Sequence, residues 1–202
     1  MQVIAITGGI GAGKSLVLKL FEKAGCHTIS MDDLSRELTR PGEAGFTKIV
    51  DTFGREILAP DNTINRPVLV QLVFNNPDKK YKLEQILHPL IEQAVRDKLD
   101  RLAKHDNPDN IIAVVEIPLL VKRNQFDFID RVLVVASTPE LQLKRVQARD
   151  PERSTDDIMK IINSQISDEE RAALADDILY NTGDLDSLET EVMTLHEQYQ
   201  SR

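Results

Sequence analysis

A glycine-rich loop near the beginning of the chain constrains the fold more than any other feature. Residues 8–15 read GGIGAGKS, which fits the pattern G-x-x-x-x-G-K-[ST], and they directly follow the apolar run of residues 3–6. The apolar run predicts a buried strand, and residues 16–21 predict a helix that opens at Ser15. Backbone N–H groups of such a loop surround phosphates, and the positive end of the helix dipole faces them. The pattern therefore predicts binding of a nucleoside triphosphate.

Two side chains of the loop have chemical roles of their own. Lys14 is expected to reach the β- and γ-phosphates, and the Ser15 hydroxyl is expected to ligate Mg²⁺. A glycine-rich turn without a ligand is disfavoured, because four glycines, the lysine and the hydroxyl all fall at the required spacing. The residues predicted to contact the nucleotide are Gly9, Ile10, Gly11, Ala12, Gly13, Lys14, Ser15 and Leu16.

The composition limits which binding partners and which cellular compartment are expected. The formal net charge of -8 disfavours broad binding to nucleic acids or anionic membranes, because those partners require a surplus of Lys and Arg on one face. No apolar run approaches the roughly 18 residues of a membrane span, and the chain begins with a strand pattern rather than a signal peptide. The single cysteine, Cys26, excludes an internal disulfide and precedes a predicted strand, which favours a buried side chain. We therefore expect a cytoplasmic protein.

Periodicity along the chain predicts an α/β fold: a parallel-sheet P-loop NTPase core with a helical substrate-binding insertion and a helical lid. Strand patterns at residues 27–30, 111–115, 132–135 and 178–180 flank a middle region that is helical to about residue 105. Further helices are predicted at residues 140–149 and 184–199. With 202 residues, more than about two domains are not expected. The predicted parts are the core (1–30, 107–149 and 176–202), the acceptor domain (31–106) and the lid (150–175).

A guanine-specific switch protein is the first alternative. Residues 51–54 read DTFG and match D-x-x-G, but they follow a helical pattern where a switch motif should follow a core strand. Residues 103–106 read AKHD and approach N-K-x-D, but they precede a strand where the guanine motif should follow one. Both matches are attributed to chance.

A kinase for small molecules needs a carboxylate near the acceptor hydroxyl, cations around the phosphoryl group and a lid that excludes water. Asp32 and Asp33 follow the second strand, at the edge where parallel sheets place ligands. Capping of the next helix and catalysis are equally compatible with this position. Residues 144–149, KRVQAR, provide cations, whereas Lys122 and Arg123 are expected to be an ordinary solvated pair.

The chain as a whole resembles the dephospho-coenzyme A kinase family. The similar segments are ITGGIGAGKS at 6–15, DDLSR at 32–36 with PG at 41–42, NRPVL at 65–69 with VF at 73–74, LHPLI at 87–91, IPLL at 117–120, QLKR at 142–145 with RD at 149–150, and ADD at 175–177 with NTG at 181–183. The resemblance implies ATP-dependent, Mg²⁺-assisted phosphorylation of the ribose 3′-hydroxyl of dephospho-coenzyme A. It also implies a nucleotide-binding core, a helical domain for the acceptor and a lid.

The resemblance implies roles for individual residues on the acceptor side. Asp32 matches the second Asp of the family's Asp-x-Asp element, which is the base toward the ribose hydroxyl, whereas Ser30 replaces the first Asp. Arg36 lies one helical turn later and is expected to contact the substrate, unless it only pairs with Asp32 or Asp33 at the surface. His88 is assigned to substrate contact or to structural hydrogen bonding, without an acid–base role. Leu119 of the IPLL segment is assigned to the substrate site as well.

The resemblance also implies roles on the nucleotide side. Arg145 and Arg149 match cations of the family that act on the β- and γ-phosphates, and their spacing places both on one helix face. Asn181 fits the adenine-side loop, although Asn-x-Gly is also an ordinary turn. Glu116 either holds Mg²⁺ through water or is a solvated strand end. The chain differs from the family at Leu16, where a Thr is frequent, and at Lys122, where a Glu is common.

Two other functions remain open at this stage. A different P-loop kinase, such as one for nucleoside monophosphates, would phosphorylate AMP or CMP. A non-catalytic nucleotide switch would bind ATP without dependence on an acceptor, and a carboxylate at Asp32 argues against it. The oligomeric state is not predicted.

Overall fold

The structure is a computed structural model, which describes residues 1–74, 76–104 and 110–201. The chain divides into two compact units, one formed by Met1–Ser30 with Leu102–Arg202 and the other by Met31–Arg101. The boundary predicted between residues 106 and 107 lies outside the described residues. The predicted limits of the lid stay a prediction.

The strands form one parallel sheet in the first unit. They are β1 (Gln2–Gly8), β2 (His27–Ser30), β3 (Ile112–Glu116), β4 (Arg131–Ala136) and β5 (Asp177–Tyr180), in the order β2-β3-β1-β4-β5. Each neighbouring pair is parallel, and β1 is central between β3 and β4. The central strand is buried over nearly its whole length, as an apolar run in a parallel sheet requires. The predicted parallel α/β class is therefore confirmed.

The helices cover the sheet and build the second unit. In chain order they are α1 (Lys14–Lys23), α2 (Met31–Leu38), α3 (Ala44–Phe53), α4 (Arg66–Phe74), α5 (Pro77–Ala103), α6 (Pro139–Arg149), α7 (Thr155–Ser164), α8 (Asp168–Ala172) and α9 (Leu185–Gln200). Polar side chains cap the later helices, with Thr138, Ser154, Ser167 and Asp184 each accepting a backbone N–H of the first turn. No helix within the described residues is long and apolar enough to cross a membrane.

The core of the first unit joins β1 and its neighbours to α1 and α9. Ile4 and Ile6 of β1 are fully buried with Phe21 of α1, whose ring stacks on Tyr199 of α9 at a centroid distance of 6.2 Å. Cys26 belongs to this cluster, and burial raises its thiol pKa to about 11. The expectation of a buried, unreactive cysteine is confirmed, because a thiol with this pKa is almost entirely protonated at neutral pH.

Ion pairs connect the amino-terminal ends of β4 and β5, at the opposite end of the strands from the glycine-rich loop. Arg131 of β4 donates to both carboxylate oxygens of Asp177 of β5, and the Tyr199 hydroxyl donates to the same carboxylate at 3.0 Å. Arg123 donates to Asp176 at 2.8 Å and to the carbonyl of Leu174 at 3.1 Å. Arg123 is exposed, as predicted for a solvated side chain, but it also forms this ion pair, which was not predicted. Burial raises the pKa of Asp176, but Arg123 and the Val132 N–H outweigh it and lower that pKa.

The second unit has an apolar cluster of its own. Ile49 and Phe53 of α3 pack with Ile57, which follows in a 3-10 turn, and with Leu69 of α4. Residues 61–63 form a turn, with Asn62 at a φ of 62° and the Thr63 N–H donating to the Asp61 carboxylate at 3.0 Å. Because residues 51–54 lie at the end of α3, their resemblance to a switch motif is indeed fortuitous.

Candidate nucleotide-binding site

The glycine-rich loop runs from β1 into α1, as predicted, and closes on Asn181. Gly13 is the N-cap of α1 with a φ of 101°, in the left-handed region where glycine is favoured. A Cβ at Gly13 would overlap the side-chain amide of Asn181. That amide donates from Nδ2 to the Ala12 carbonyl at 2.8 Å, and Asn181 is only 4% exposed. Asn181 therefore supports the loop. The Asn-x-Gly turn at residues 181–183 thus contributes a buried contact to the nucleotide-binding loop.

Lys14 is the first residue of α1 and folds back over the loop. Its Nζ donates to the carbonyls of Gly8 at 3.0 Å and Gly9 at 3.1 Å. The ammonium group therefore lies at the mouth of the loop, within the same turn of chain whose N–H groups bind phosphates in such motifs. Leu16, in the first turn of α1, is 40% exposed.

Glu116 is a buried carboxylate beside the loop. It is the last residue of β3, in register with Ile6 of β1 and Ser30 of β2, and it is 3% exposed. The Ser15 hydroxyl donates to its Oε1 at 2.9 Å. The alternative of a solvated strand end is therefore wrong. Because Mg²⁺ prefers oxygen ligands and keeps several waters, a hydroxyl next to a buried carboxylate suits this ion.

Arg145 of α6 connects three segments around the loop. Its guanidinium donates to the Ser137 hydroxyl at 3.0 Å and to both oxygens of Asn181 at 3.1 Å, and it lies 3.4 Å from the carbonyls of Gly11 and Ala12. The guanidinium thus holds the loop, the end of β4 and the loop after β5 together. Its predicted contact with phosphates stays a prediction. Arg149, one turn later on the same face, is exposed.

Two glutamines complete the surroundings of the loop, and neither was singled out from the sequence. Gln142 of α6 is 5% exposed and lies against Gly9 and Gly11. Gln165, which follows α7, accepts the Ile10 N–H on Oε1 at 3.0 Å. The spacing of residues 142, 145 and 149 on one helix face was a usable signal for Gln142. No local pattern marks Gln165.

The remaining predicted residue of the first unit, Leu119, follows β3. It is 65% exposed, and its carbonyl accepts from the Gln125 side chain at 3.4 Å. The neighbouring Leu120 is buried at 2% exposure. Leu119 is therefore an apolar side chain presented to solvent, which suits a contact with a ligand but does not by itself require one.

The second unit contains the other predicted residues. The helix α2 begins at Met31, so Asp32 and Asp33 lie in its first turn and not at the N-cap, a position where carboxylates also stabilise a helix. Both carboxylates are exposed, and Arg36 donates to Asp33 at 3.1 Å, so Arg36 has the surface partner foreseen as its alternative. His88 is exposed in the middle of α5, directly before Pro89, a helical position that lacks a backbone N–H.

Fold and loop together define a P-loop nucleotide-binding protein. A parallel sheet with the GxxxxGKS loop after its central strand, a lysine at the mouth of the loop and a hydroxyl–carboxylate pair beside it is the arrangement used to hold nucleotide phosphates and a divalent cation. Shikimate kinase from Bacteroides thetaiotaomicron has the same fold, with a TM-score of 0.50 at 16% identity over 98% of each chain.

The family follows from closer similarities. The family model described as dephospho-CoA kinase matches residues 2–187. The dephospho-CoA kinase of Hydrogenovibrio crunogenus is 39% identical over 100% of both chains. The solved structure of the dephospho-CoA kinase from Campylobacter jejuni has a TM-score of 0.69 and 27% identity, covering 100% of this chain and 98% of that one. This chain belongs to the dephospho-CoA kinase family and is therefore a transferase.

Proposed function

We propose that the glycine-rich loop of this chain and the side chains around it carry out the reaction of its family. The reaction transfers the γ-phosphoryl group of ATP to the ribose 3′-hydroxyl of dephospho-coenzyme A, which completes coenzyme A biosynthesis. The observation that carries the proposal is the loop itself, with Lys14 at its mouth and the Ser15–Glu116 pair beside it. These groups supply positive charge, backbone donors and oxygen ligands in the places where phosphoryl transfer develops negative charge.

Lys14 is proposed to leave the carbonyls of Gly8 and Gly9 and to bind the β- and γ-phosphates when ATP enters. Loop carbonyls are neutral acceptors, and a phosphate oxygen carries charge, so the ammonium group gains a stronger partner in the exchange. Arg149 is proposed to bind the transferring phosphoryl group from its exposed position on α6. Arg145 adds its charge from a fixed position beside the loop and keeps that loop in shape.

Mg²⁺ is proposed to be held by the Ser15 hydroxyl and, through water, by Glu116. When bound, the ion would neutralise charge on the phosphate oxygens. No cluster of three or more His, Cys, Asp and Glu side chains suited to a metal occurs among the described residues. A site with one hydroxyl and one carboxylate agrees with an ion that receives its other ligands from water and nucleotide.

Asp32 is proposed to be the base. Its carboxylate is exposed in the first turn of α2, so it is accessible to a substrate hydroxyl. It would accept the proton of the ribose 3′-hydroxyl as the new O–P bond forms. Arg36, His88 and Leu119 are proposed to contact dephospho-coenzyme A. A cytoplasmic location and the absence of a nucleic-acid partner belong to the same proposal.

The experiment compares two adjacent carboxylates that differ in their neighbours. Asp32→Asn should lower kcat with dephospho-coenzyme A by roughly 10² to 10⁴, while ATP binding and the melting temperature change little. Asp33→Asn, the matched control, loses an exposed ion pair with Arg36 and part of the favourable helix-dipole term, at a cost of at most about 1 kcal/mol and little activity. Steady-state kinetics and thermal melts decide. An inactive Asp33→Asn beside an active Asp32→Asn would assign the base to Asp33.

A further inference from the structure

Gln165 links the predicted lid to the phosphate loop. Its side-chain Oε1 accepts the backbone N–H of Ile10 at 3.0 Å, across 155 residues of sequence. Ile10 lies within the GGIGAGKS segment, so one N–H of the phosphate loop is bonded to the segment between α7 and α8. Neither the residue types nor their spacing in the sequence predicts a contact between Ile10 and Gln165.

Hydrogen bonds hold the backbone on both sides of Gln165, and they orient its side chain toward the phosphate loop. The Gln165 N–H bonds the Ile162 carbonyl at the end of α7. Two residues later, Ser167 and Glu170 form a reciprocal capping box at the start of α8. Between them, the Ile166 carbonyl accepts from Arg171 at 3.0 Å, and Arg171 is only 7% exposed. A short connection that is held at three points presents the amide in one direction.

The loop is shaped to receive that amide. A Cβ built on Gly9 would lie 3.3 Å from Gln165 Oε1 and 2.7 Å from Gln142 Nε2. A side chain at position 9 would therefore collide with Gln142 and crowd Gln165. The close approach shows that the loop and the connection fit against each other, beyond the single hydrogen bond.

We propose that Gln165 is a positioning residue that holds the connection between α7 and α8 against the phosphate loop, so that water is kept from the phosphoryl group during transfer. In the family's reaction, the ribose oxygen forms a bond to the γ-phosphorus, the bond to the ADP oxygen breaks, and the ribose proton passes to the base. If water enters, its oxygen forms that bond instead, its proton goes to solvent, and the products are ADP and inorganic phosphate. Closing a site against water is the ordinary use of a lid.

The first test measures this partition directly. ADP formation is followed with and without dephospho-coenzyme A, and the ratio of the two rates reports the leak to water. Losing one hydrogen bond between a neutral donor and acceptor changes an equilibrium by about fivefold, so Gln165→Ala should raise the ratio of uncoupled to coupled ADP formation about fivefold. An unchanged ratio in a folded Gln165→Ala protein overturns the proposal.

Gln147→Ala is the matched control. The Gln147 amide of α6 also bonds a residue of α7, donating to Thr155 Oγ1 at 2.8 Å, but it has no bond to the loop. Its removal should leave the ratio at the wild-type value. A rise equal to that of Gln165→Ala would show that any loosening of α7 produces the leak, and the specific role of Gln165 would be lost.

Two further variants keep the test decisive if Gln165→Ala folds poorly. Gln165→Glu keeps an acceptor for the Ile10 N–H but adds negative charge near the phosphates, so KM for ATP should rise while the ratio stays low. Ile10→Pro removes the donor, so it should raise the ratio by itself, and adding Gln165→Ala to it should raise the ratio no further. A full additional increase in the double variant refutes coupling through this bond.

The inference rests on the lid role that the sequence predicts for residues 150–175. The experiment distinguishes failure of the lid prediction from failure of the role of Gln165. If these residues are not a lid, Gln165→Ala lowers coupled and uncoupled rates together and the ratio stays constant. If the lid exists but Gln165 does not position it, then Gln147→Ala and Gln165→Ala change the ratio to the same extent.

Discussion

Replacement of Arg145 should separate its structural contribution from that of Arg149. Three of its hydrogen bonds are 3.0–3.1 Å long, to Ser137 and to both oxygens of Asn181, whereas the two contacts at 3.4 Å with loop carbonyls count for little. In Arg145→Ala the Asn181 carbonyl keeps the Ser137 hydroxyl as a donor, but the buried Asn181 Oδ1 is left without one. An unsatisfied buried acceptor costs about 1–3 kcal/mol, and the lost charged donors bring the total to roughly 2–4 kcal/mol.

The assay is a thermal melt beside steady-state kinetics. For a chain of this length, a loss of that size lowers Tm by roughly 4–16 °C, since each kcal/mol corresponds to about 2–4 °C. Arg149→Ala removes an exposed side chain from the same helix face and should change stability by less than about 0.5 kcal/mol.

Kinetics then separate function from stability. Both single variants should lower kcat, and the double variant should lose less than the product of the two factors, because both side chains act around one phosphoryl group. An Arg145→Ala protein that melts no lower than Arg149→Ala would refute the structural role. Small and strictly multiplicative effects on kcat would instead show that both side chains are ordinary surface charges.

Three other changes address the loop and its surroundings. Lys14→Ala should leave the melt intact and lower kcat by about a hundredfold, or roughly 3 kcal/mol, in a coupled assay of ADP production, and near-normal turnover would refute its role. Glu116→Gln retains an acceptor for the Ser15 hydroxyl but removes the charge, so half-maximal activity should need about tenfold more Mg²⁺, whereas an unchanged Mg²⁺ titration argues against metal binding here. Native Cys26, whose thiol pKa is raised to about 11, should react with iodoacetamide at pH 8 at least about a hundredfold more slowly than in urea, and equal rates would show that it is not buried.

Features that depend on local sequence were predictable. The strand, glycine-rich loop and first helix follow from a pattern within some twenty residues, and the helix Pro139–Arg149, which follows a clear strand pattern, was predicted to within one residue. The start of α2 was placed too late, since Ser30 ends a strand and Met31 already begins the helix without a loop between them. Nothing in the local sequence marks such a direct junction.

Features that depend on distant partners were not predictable. Whether Glu116 is solvated depends on the register of three strands, and the ion pair of Arg123 depends on an aspartate 53 residues away. The contacts of Arg145 with Asn181 and of Ile10 with Gln165 likewise arise from tertiary packing. A short motif identifies which chemistry is possible, but the groups that shape its surroundings come from segments with no shared pattern.

The long-range support of the phosphate loop has a consequence for protein synthesis. The loop is made early, yet Asn181, which bonds the Ala12 carbonyl, follows it by 169 residues. At 5–20 residues per second the ribosome needs roughly 10–30 s to cover that interval. In the meantime β1 has neither neighbour, since β3 and β4 come more than a hundred residues later, whereas the residues of the helical unit emerge together with their own apolar cluster. A nascent chain should therefore acquire affinity for ATP only when its synthesis is complete, and until then its apolar first strand lacks the neighbouring strands that bury it.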